Sequence, residues 1–213
     1  MRTSSFAYSH LIPPRGPGAE PQERECHMPN QAVLLIDLQR DFLDRRSGRL
    51  PVDRLGAEAV IRAANDILSK RVLAGALPVF VVNEFPREAH IANFFRKGAA
   101  VAGSAGAMID PRIENVGSAR GFTKAAPSAF TNSELEKYLH AEGVEELHVL
   151  GVFAEGCVRS TVADAVKLGF TVIVHAQAVA TNRPWKKRFA LWAMRRAGAK
   201  IYTAGAPPQA PPR

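Results

Sequence analysis

The sequence predicts a three-layer α/β/α domain built on a central, mostly parallel sheet of six strands. Short apolar runs of strand length alternate along the chain with longer segments whose apolar residues recur at helical spacing. The short runs are apolar nearly throughout, rather than at every second position, which is typical of strands buried on both faces of a parallel sheet. Strands and helices that alternate in this way favour an α/β fold with helices on both faces.

The first two strands and the helix between them are strongly patterned. AVLLI (32–36) is the first predicted strand, and PVFVVN (78–83) is the second. Residues 50–75 are predicted to form a long helix that stops at Gly75, because glycine commonly terminates helices. The apolar residues that share the inner face of this helix are Val60, Ala63, Ala64, Ile67 and Leu68.

A long segment, residues 84–113, follows the second strand and is predicted to be mostly loop with one short helix. Loops of this length inside a compact domain are often functional. The third strand is weakly patterned, and we place it within residues 113–123, leading to Lys124.

The second half of the chain continues the alternation. A helix is predicted over residues 131–143, with Ser133 and Glu136 at the spacing of a capping box. The remaining predicted elements are a strand at 146–152, a helix from Cys157, a strand at 170–176, a helix at 181–198 and a strand at 199–204.

The helix at 181–198 has Pro184 near its first turn, where proline is well tolerated. It carries three apolar side chains that we predict to face the core: Phe189, Trp192 and Ala193. Its lysines and arginines are predicted to form a solvated face.

Composition and cysteine content are those of an ordinary globular protein. The 213 residues are 46% hydrophobic and 23% charged, which suffices for one sizeable domain. We place that domain at residues 30–205, between a flexible tail at 1–29 and a disordered end at 206–213, because both ends are rich in proline and lack periodicity. No apolar run approaches the roughly 20 residues of a membrane span. We therefore expect no membrane partner. Two cysteines make no disulfide framework, so we expect a cytoplasmic protein.

The net charge of +8 and the pI near 9.9 raise the question of nucleic-acid binding. The basic residues are scattered, and the densest clusters are Arg45-Arg46, Lys186-Lys187-Arg188 and Arg195-Arg196. The chain has no zinc-finger spacing and no RNA-binding aromatic motif. We therefore expect a small-molecule substrate and no nucleic-acid partner.

Three residues that could carry chemistry are predicted at carboxyl ends of strands, where parallel α/β sheets bind ligands. Asp37 follows the first strand, Lys124 follows the third, and Cys157 opens the helix after the fourth. A thiol at a helix N-terminus is expected to have a lowered pKa, because unpaired N–H groups and the helix dipole favour the thiolate. On its own, the stretch around Cys157 fits a small buried hydrophobic residue equally well. An acid, an amine and a thiol at one edge, however, form a set suited to nucleophilic catalysis.

Three motifs together resemble the isochorismatase-like cysteine hydrolases, a family that includes nicotinamidases and N-carbamoylsarcosine amidohydrolases. They are VLLIDLQRDF from residue 33, KAAPSAF from residue 124 and GVFAEGCVRSTVADAV from residue 151. The resemblance spans roughly residues 30–204. It implies a Rossmann-like, isochorismatase-like hydrolase fold and a homo-oligomer, either dimer or tetramer.

The resemblance also implies a catalytic triad of Asp37, Lys124 and Cys157. In that chemistry, Asp37 takes the thiol proton, Lys124 holds the carboxylate and the thiolate by charge, and the sulfur attacks a carbonyl. The family pattern further implies a cis peptide bond between Val152 and Phe153. The backbone N–H groups of Phe153 and Cys157 would then form an oxyanion hole for the developing negative charge.

Several neighbouring residues have both a functional and a structural interpretation. Phe42, Ser128 and Phe130 are predicted to contact substrate, although the phenylalanines could belong to the core and the serine could cap a turn. Gln39 and Asp41 are predicted to fix the turn after Asp37.

Metal-dependent nicotinamidases carry an Asp-x-His pair and further histidines after the second strand. This chain has Glu84, Phe85 and Pro86 in the matching stretch, with His90 nearby. Several ligands must converge to hold such an ion, so we expect no metal and no other cofactor. The other histidines are dispersed along the sequence: His10, His27, His140, His148 and His175.

The predicted function is hydrolysis of a C–N bond in a small amide, carbamoyl or ureido compound through a thioester. Family members that act on isochorismate lack the cysteine, so its presence here favours an amide-type substrate. Two alternatives stay open. One is a hydrolase of the same fold that cleaves another bond, such as an ester, and the other is a non-catalytic interaction protein.

Overall fold

Strands and helices alternate along the chain as predicted. The computed structural model describes residues 30–114 and 116–203, so the predicted tails at 1–29 and 206–213 lie outside the described residues. Within these ranges no helix has the length and apolarity needed to cross a membrane. The strands and helices are β1 (Gln31–Ile36), α1 (Arg40–Leu43), α2 (Arg54–Leu73), β2 (Leu77–Asn83), α3 (His90–Phe95), β3 (Arg120–Lys124), α4 (Ser133–Ala141), β4 (Glu146–Val152), α5 (Arg159–Lys167), β5 (Thr171–Ala180), α6 (Pro184–Arg196) and β6 (Lys200–Tyr202).

The six strands form one sheet in the order β3-β2-β1-β4-β5-β6, and every neighbouring pair is parallel. The predicted three-layer α/β/α architecture is therefore confirmed. β1 lies at the centre of the sheet, paired with β2 on one side and with β4 on the other. The strand order changes direction between β1 and β4, and such switch points create a crevice at the carboxyl ends of the strands.

Alternate residues of the strands enter two separate hydrophobic clusters, which explains their continuous apolar runs. In β1, Ala32, Leu34 and Ile36 pack in the cluster that includes α4, α5 and α6, whereas Val33 and Leu35 pack in the cluster that includes α1 and α2. All five side chains are fully buried. Because both faces of the sheet are covered, neither face of a central strand can carry exposed polar residues.

Helix α2 has the predicted apolar face, although it begins at Arg54 rather than at residue 50. Asp53 caps its start, with the side chain accepting a hydrogen bond from the Gly56 backbone N–H at 2.8 Å. Gly75 follows the helix with a positive φ of 90°, as expected for a terminating glycine. The buried residues are Ala57, Val60, Ile61, Ala64, Ile67 and Leu68, and Ala63 of the predicted face is half-buried.

The predicted capping box of helix α4 is wrong by one residue. Asn132, rather than Ser133, is the N-cap, and its side chain accepts a hydrogen bond from the Glu134 backbone N–H at 3.0 Å. Asparagine is as good an N-cap as serine, so the sequence pattern offered two adjacent candidates.

The predicted inner face of helix α6 is also wrong. Ala190 and Met194 are fully buried, whereas Phe189 and Trp192 are 53% and 58% exposed. Through this face α6 packs against α5 and against the turn that carries Cys157, with the small Ala190 and the flexible, unbranched Met194 at its buried positions. The bulkier aromatic residues lie on the outer face. The prediction failed because hydrophobicity alone does not indicate which apolar side of a helix packs against its neighbours.

Candidate active site

The carboxyl ends of four neighbouring strands meet at one site. Asp37 directly follows β1, and Asn83 and Lys124 are the last residues of β2 and β3. Cys157 lies in a π-helical turn, Ala154–Val158, that joins β4 to α5. Turns of this kind occur frequently at functional sites. The structure thus brings together the acid, the amine and the thiol that the strand-end argument placed at one edge.

Asp37 and Lys124 form a buried ion pair. Lys124 Nζ lies 2.9 Å from Asp37 Oδ2, and the two side chains are 0% and 1% exposed. The same ammonium group donates a hydrogen bond to Asn83 Oδ1 at 2.9 Å. Burial raises the pKa of the Asp37 carboxyl, and the Lys124 charge is the largest influence in the opposite direction. Removing either partner of such a pair is strongly destabilising, because the other charge is then buried without compensation.

The backbone of Asp37 adopts an unusual conformation that points to a functional role. Its φ is +55°, in the left-handed region that residues other than glycine rarely adopt, although Asp and Asn tolerate it best. The Asp37 N–H donates to the Val81 carbonyl at 2.9 Å, which holds the turn at the end of β1. Carboxylate atom Oδ1 is buried and has no hydrogen bond of regular geometry from the described residues. The Cys157 side chain nevertheless interacts with the Asp37 carboxyl as a hydrogen-bond partner and acts to lower its pKa.

The Cys157 thiol is half-buried and lies beside this ion pair. Asn83 Nδ2 approaches Cys157 Sγ to 3.7 Å, within the range of a weak hydrogen bond to sulfur. Burial raises the pKa of Cys157 to about 12, with the negative charge of Asp37 as the second cause. Lys124 and Asn83 act in the opposite direction but do not outweigh them.

The expected lowering of the thiol pKa at a helix N-terminus is therefore wrong for the free protein. The chain around Cys157 is a π-helical turn, and the regular helix α5 begins only at Arg159. The Lys124 charge that could stabilise a thiolate is already paired with Asp37. Cys157 is consequently a neutral thiol at neutral pH until its proton is removed.

The turn that carries Cys157 is held in place by backbone contacts. The Val152–Phe153 peptide bond is cis, as the family resemblance implied. The Phe153 carbonyl accepts hydrogen bonds from the N–H groups of Gly156 and Val158 at 3.0 and 3.2 Å. The proposed oxyanion-hole role of the Phe153 and Cys157 N–H groups stays a prediction.

Gly151, two residues before Phe153, packs directly against the strand that leads to Asp37. A Cβ atom at this position would collide with the carbonyl oxygen of Ile36, and the φ of +137° is also unfavourable for any other residue. Glycine therefore allows β4 and β1 to approach closely beneath the site.

Asn83 is the residue of the site that the sequence argument missed. Its side chain contacts both Lys124 and Cys157, and it is 3% exposed. Asn83 could have been found in the same way as Asp37, because each is a polar residue at the end of an apolar strand. Gln39 clamps the Asn83 backbone, accepting from its N–H at 2.9 Å and donating to its carbonyl at 2.7 Å. Gln39 also donates to the Ala107 carbonyl, so its structural role extends beyond the turn after Asp37.

We expect Asn83→Ala to lower kcat/KM by roughly 10- to 100-fold, because the orientation of the lysine and the thiol is lost and a buried partner is left unsatisfied. The pH profile of Cys157 alkylation should also shift upward, since Asn83 lowers the thiol pKa. Asn65→Ala is a matched control away from the site, where the Asn65 side chain donates to the Arg112 carbonyl and accepts from the Glu114 N–H. An unchanged alkylation profile would limit Asn83 to a structural role.

Comparison with known proteins identifies the family. The family model for the isochorismatase domain matches residues 31–206. The chain belongs to the isochorismatase family. The resemblance inferred from the sequence motifs is thereby confirmed, together with the expectation of a hydrolase.

Relatives of this isochorismatase-family chain include amide hydrolases. A probable inactive nicotinamidase of Arabidopsis thaliana is 30% identical over 164 residues, covering 71% of this chain and 82% of the relative. The crystal structure of a pyrazinamidase of Pyrococcus horikoshii in complex with zinc has a TM-score of 0.72 and 32% identity, covering 82% of this chain and 99% of the other. An N-carbamoylsarcosine amidase of Arthrobacter is 36% identical over 78 residues, covering 37% of this chain and 30% of the amidase.

The described part of this isochorismatase-family chain does not fit a zinc site of the kind present in the pyrazinamidase. In residues 30–114 and 116–203, no three His, Cys, Asp or Glu side chains are close enough to hold an ion. His148 and His175, dispersed in the sequence, are in fact neighbours, with Nδ1 and Nε2 2.9 Å apart between β4 and β5. Burial lowers the pKa of each imidazole to about 4. This pair lies inside the sheet rather than at the strand ends, and catalysis without a metal stays a prediction.

The three predicted substrate contacts have structural partners. Phe42 is 4% exposed and packs edge-on against Phe153, with ring centroids 5.7 Å apart. The Ser128 hydroxyl caps a 3₁₀ turn, accepting from the Phe130 N–H at 3.3 Å. Phe130 stacks on Phe170 at 5.8 Å. These contacts fit the structural interpretation of the three residues. Phe42 also lies beside the turn that carries Cys157, through its contact with Phe153. The substrate contacts of all three residues stay predictions.

Proposed function

We propose that this protein is a cysteine-dependent amidohydrolase that cleaves a C–N bond of a small amide, carbamoyl or ureido compound through a thioester, without a metal. The observation that carries the proposal is the buried Asp37–Lys124 ion pair, 2.9 Å long, beside the Cys157 thiol. The amidase relatives support a C–N bond as the bond cleaved. The presence of the cysteine supports an amide-type substrate over isochorismate.

The raised pKa of Cys157 and the hydrogen bond between its thiol and the Asp37 carboxyl support general-base catalysis rather than a preformed thiolate. As Cys157 Sγ forms a bond to the substrate carbonyl carbon, the thiol proton passes to Asp37, whose raised pKa makes it a better proton acceptor. The charge that develops on the carbonyl oxygen would be held by the N–H groups of Phe153 and Cys157. Lys124 favours the ionised form of Asp37, since its charge lowers the pKa of that carboxyl.

The second half of the reaction returns every group to its starting state. Asp37 gives its proton to the substrate nitrogen, the C–N bond breaks, and ammonia or an amine leaves behind a thioester on Cys157. Water then attacks the thioester carbon and loses a proton to Asp37. The C–S bond breaks, the acid product leaves, and the proton returns to the sulfur.

A non-catalytic role is the second candidate, because one relative is described as a probable inactive nicotinamidase. That role requires no ion pair beside the thiol. Burying two charges is costly, and a protein without chemistry at this edge would gain from apolar residues there. The Asp37–Lys124 pair therefore favours catalysis.

An amide panel scored by ammonia release tests the proposal. The panel comprises nicotinamide, pyrazinamide, an N-carbamoyl amino acid and biuret, with p-nitrophenyl acetate as the ester probe. We expect at least one C–N substrate to be cleaved, an unchanged rate in EDTA, and a loss of at least about 1,000-fold in Cys157→Ala. Cys26→Ser is the matched cysteine control and should keep full activity.

Each other result has a defined meaning. Turnover of the ester alone would favour the ester-hydrolase alternative. No turnover of any compound by folded protein would move the non-catalytic role ahead, and loss of activity in EDTA would contradict metal-free catalysis.

A further inference from the structure

A cavity lies away from the proposed catalytic residues. It has a volume of about 800 Å³ and lies between the segment that contains α1, the start of α2 and residues 110–112. Neither Asp37, Lys124 nor Cys157 lines it. Its size is within the range of roughly 300–1,000 Å³ that small-molecule sites occupy.

Arginine dominates the lining of this cavity. Five arginines and three carboxylates surround it, which leaves a surplus of positive charge: Arg40, Arg45, Arg46, Arg54 and Arg112 against Asp44, Glu58 and Asp110. The other lining residues are Leu43, Ser47, Ala57 and Pro111. A cavity with these walls concentrates anions, because fixed positive charge in a concave surface focuses the electrostatic field.

Two of the five arginines are already paired. Arg112 binds both oxygens of Asp110, with Nε at 2.8 Å and an η nitrogen at 2.7 Å, and also donates to the Leu43 carbonyl. Arg54 pairs with Glu58 at 3.2 Å. These contacts fix the walls of the cavity but use up the carboxylates of Asp110 and Glu58.

The other three arginines have no carboxylate within ion-pair distance in the described part of the chain. The third carboxylate, Asp44, is occupied by the Ser47 hydroxyl and the Arg46 N–H. Atom Nε of Arg40 is buried and has no hydrogen-bond partner among the described residues. Arg40 lines the cavity and is half-buried, so a ligand that supplies acceptors to its guanidinium group would be favoured, because a buried donor without a partner is costly.

We propose that this arginine cavity binds a small phosphate-bearing molecule. A phosphate monoester carries close to two negative charges at neutral pH and offers several strong acceptors, which matches the surplus charge and the unsatisfied Arg40. Guanidinium groups bind phosphate with two parallel hydrogen bonds, so arginine suits this ligand better than lysine would. The absence of aromatic residues in the lining disfavours single-stranded nucleic acid, which stacks its bases on aromatic side chains.

Calorimetric titration of the full chain with inorganic pyrophosphate, at about 150 mM ionic strength, tests the proposal. We expect saturable binding with a dissociation constant below about 1 mM, weakened at least 10-fold in Arg45→Ala/Arg46→Ala. Both residues are exposed, so this variant should fold. The matched control, Arg195→Ala/Arg196→Ala, removes the same charge from two exposed residues of α6 and should bind like the original protein.

Three outcomes would overturn the proposal. The first is the absence of binding by folded protein, and the second is equal weakening by both double variants, which would reveal a general charge effect. The third is a single-stranded oligonucleotide that binds more tightly than pyrophosphate with the same dependence on Arg45 and Arg46, which would make this surface a nucleic-acid contact. Arg40→Gln tests the contribution of Arg40 and should also weaken binding. If Arg40→Gln does not fold, the result for Arg45→Ala/Arg46→Ala alone decides whether the proposal stands.

Discussion

Asp37→Asn is expected to abolish hydrolysis and, at the same time, to make Cys157 more reactive toward iodoacetamide at pH 7. Hydrolysis should fall by about 100- to 10,000-fold, because an amide cannot take the thiol proton. Alkylation should accelerate because the negative charge that raises the Cys157 pKa is gone, while the Lys124 charge that lowers it remains. Each unit by which the pKa falls gives about ten times more thiolate at neutral pH.

The measurement is the alkylation rate between pH 6 and pH 10, with mass spectrometry to resolve Cys157 from Cys26. Asparagine is the right replacement, because it tolerates the positive φ of Asp37 nearly as well as aspartate does. Asp66→Asn is a matched control on the exposed surface of α2, where Asp66 pairs only with Lys70 among the described residues. Alkylation of the unmodified protein with an apparent pKa below about 8.5 would mean a preformed thiolate and would contradict the general-base mechanism.

Lys124→Met is expected to lower the free energy of unfolding by about 3–5 kcal/mol, because it leaves the Asp37 carboxylate buried without its partner. Lys124 is the largest influence that lowers the Asp37 pKa, so its removal raises that pKa further. A carboxyl whose folded pKa lies above its unfolded value is stabilising below the unfolded pKa and loses that contribution as the pH rises. The stability deficit should therefore grow as the pH rises above about 4.

Urea unfolding at several pH values measures this deficit. Lys137→Met is the matched control, since Lys137 pairs with Glu134 at the same distance of 2.9 Å but both side chains are exposed. An exposed pair contributes about 0–1 kcal/mol, so the two lysine variants should differ clearly. If Lys124→Met lowers the free energy of unfolding no more than the control does, the loss of Lys124 does not leave Asp37 as a costly buried charge, and the prediction is wrong.

The sequence reveals most of the fold because both faces of the sheet are covered. β1, β2 and β4 are continuous apolar runs, and their ends were predicted to within one residue. β3 is different: in RGFTK only Phe122 and Lys124 are buried, since it lies at the edge of the sheet. The strand-end position of Lys124 was therefore weakly supported by the sequence pattern, and the family resemblance assigned it to the triad.

Properties that depend on neighbours in the folded structure could not be predicted from the sequence. The raised pKa of Cys157 follows from burial and from Asp37, which is distant in the chain. The contact between His148 and His175 follows from the pairing of β4 with β5. Phe189 and Trp192 lie outward because other residues occupy the buried positions of α6. In each case the outcome depended on residues that are distant in the sequence, and the local pattern does not show them.

The way the site is assembled has a consequence for how activity appears during folding. The ion pair joins residues 87 positions apart, and the contact between Asn83 and Cys157 spans 74. Contacts of such long range are slow to form, because the chain between them must close first. Parallel pairing of β1 with both β2 and β4 must be complete before the acid reaches the thiol. Under the proposed mechanism, a partly folded chain therefore has a thiol without its base, and it cannot attack the amides of other molecules by this route before β1 has paired with β2 and β4.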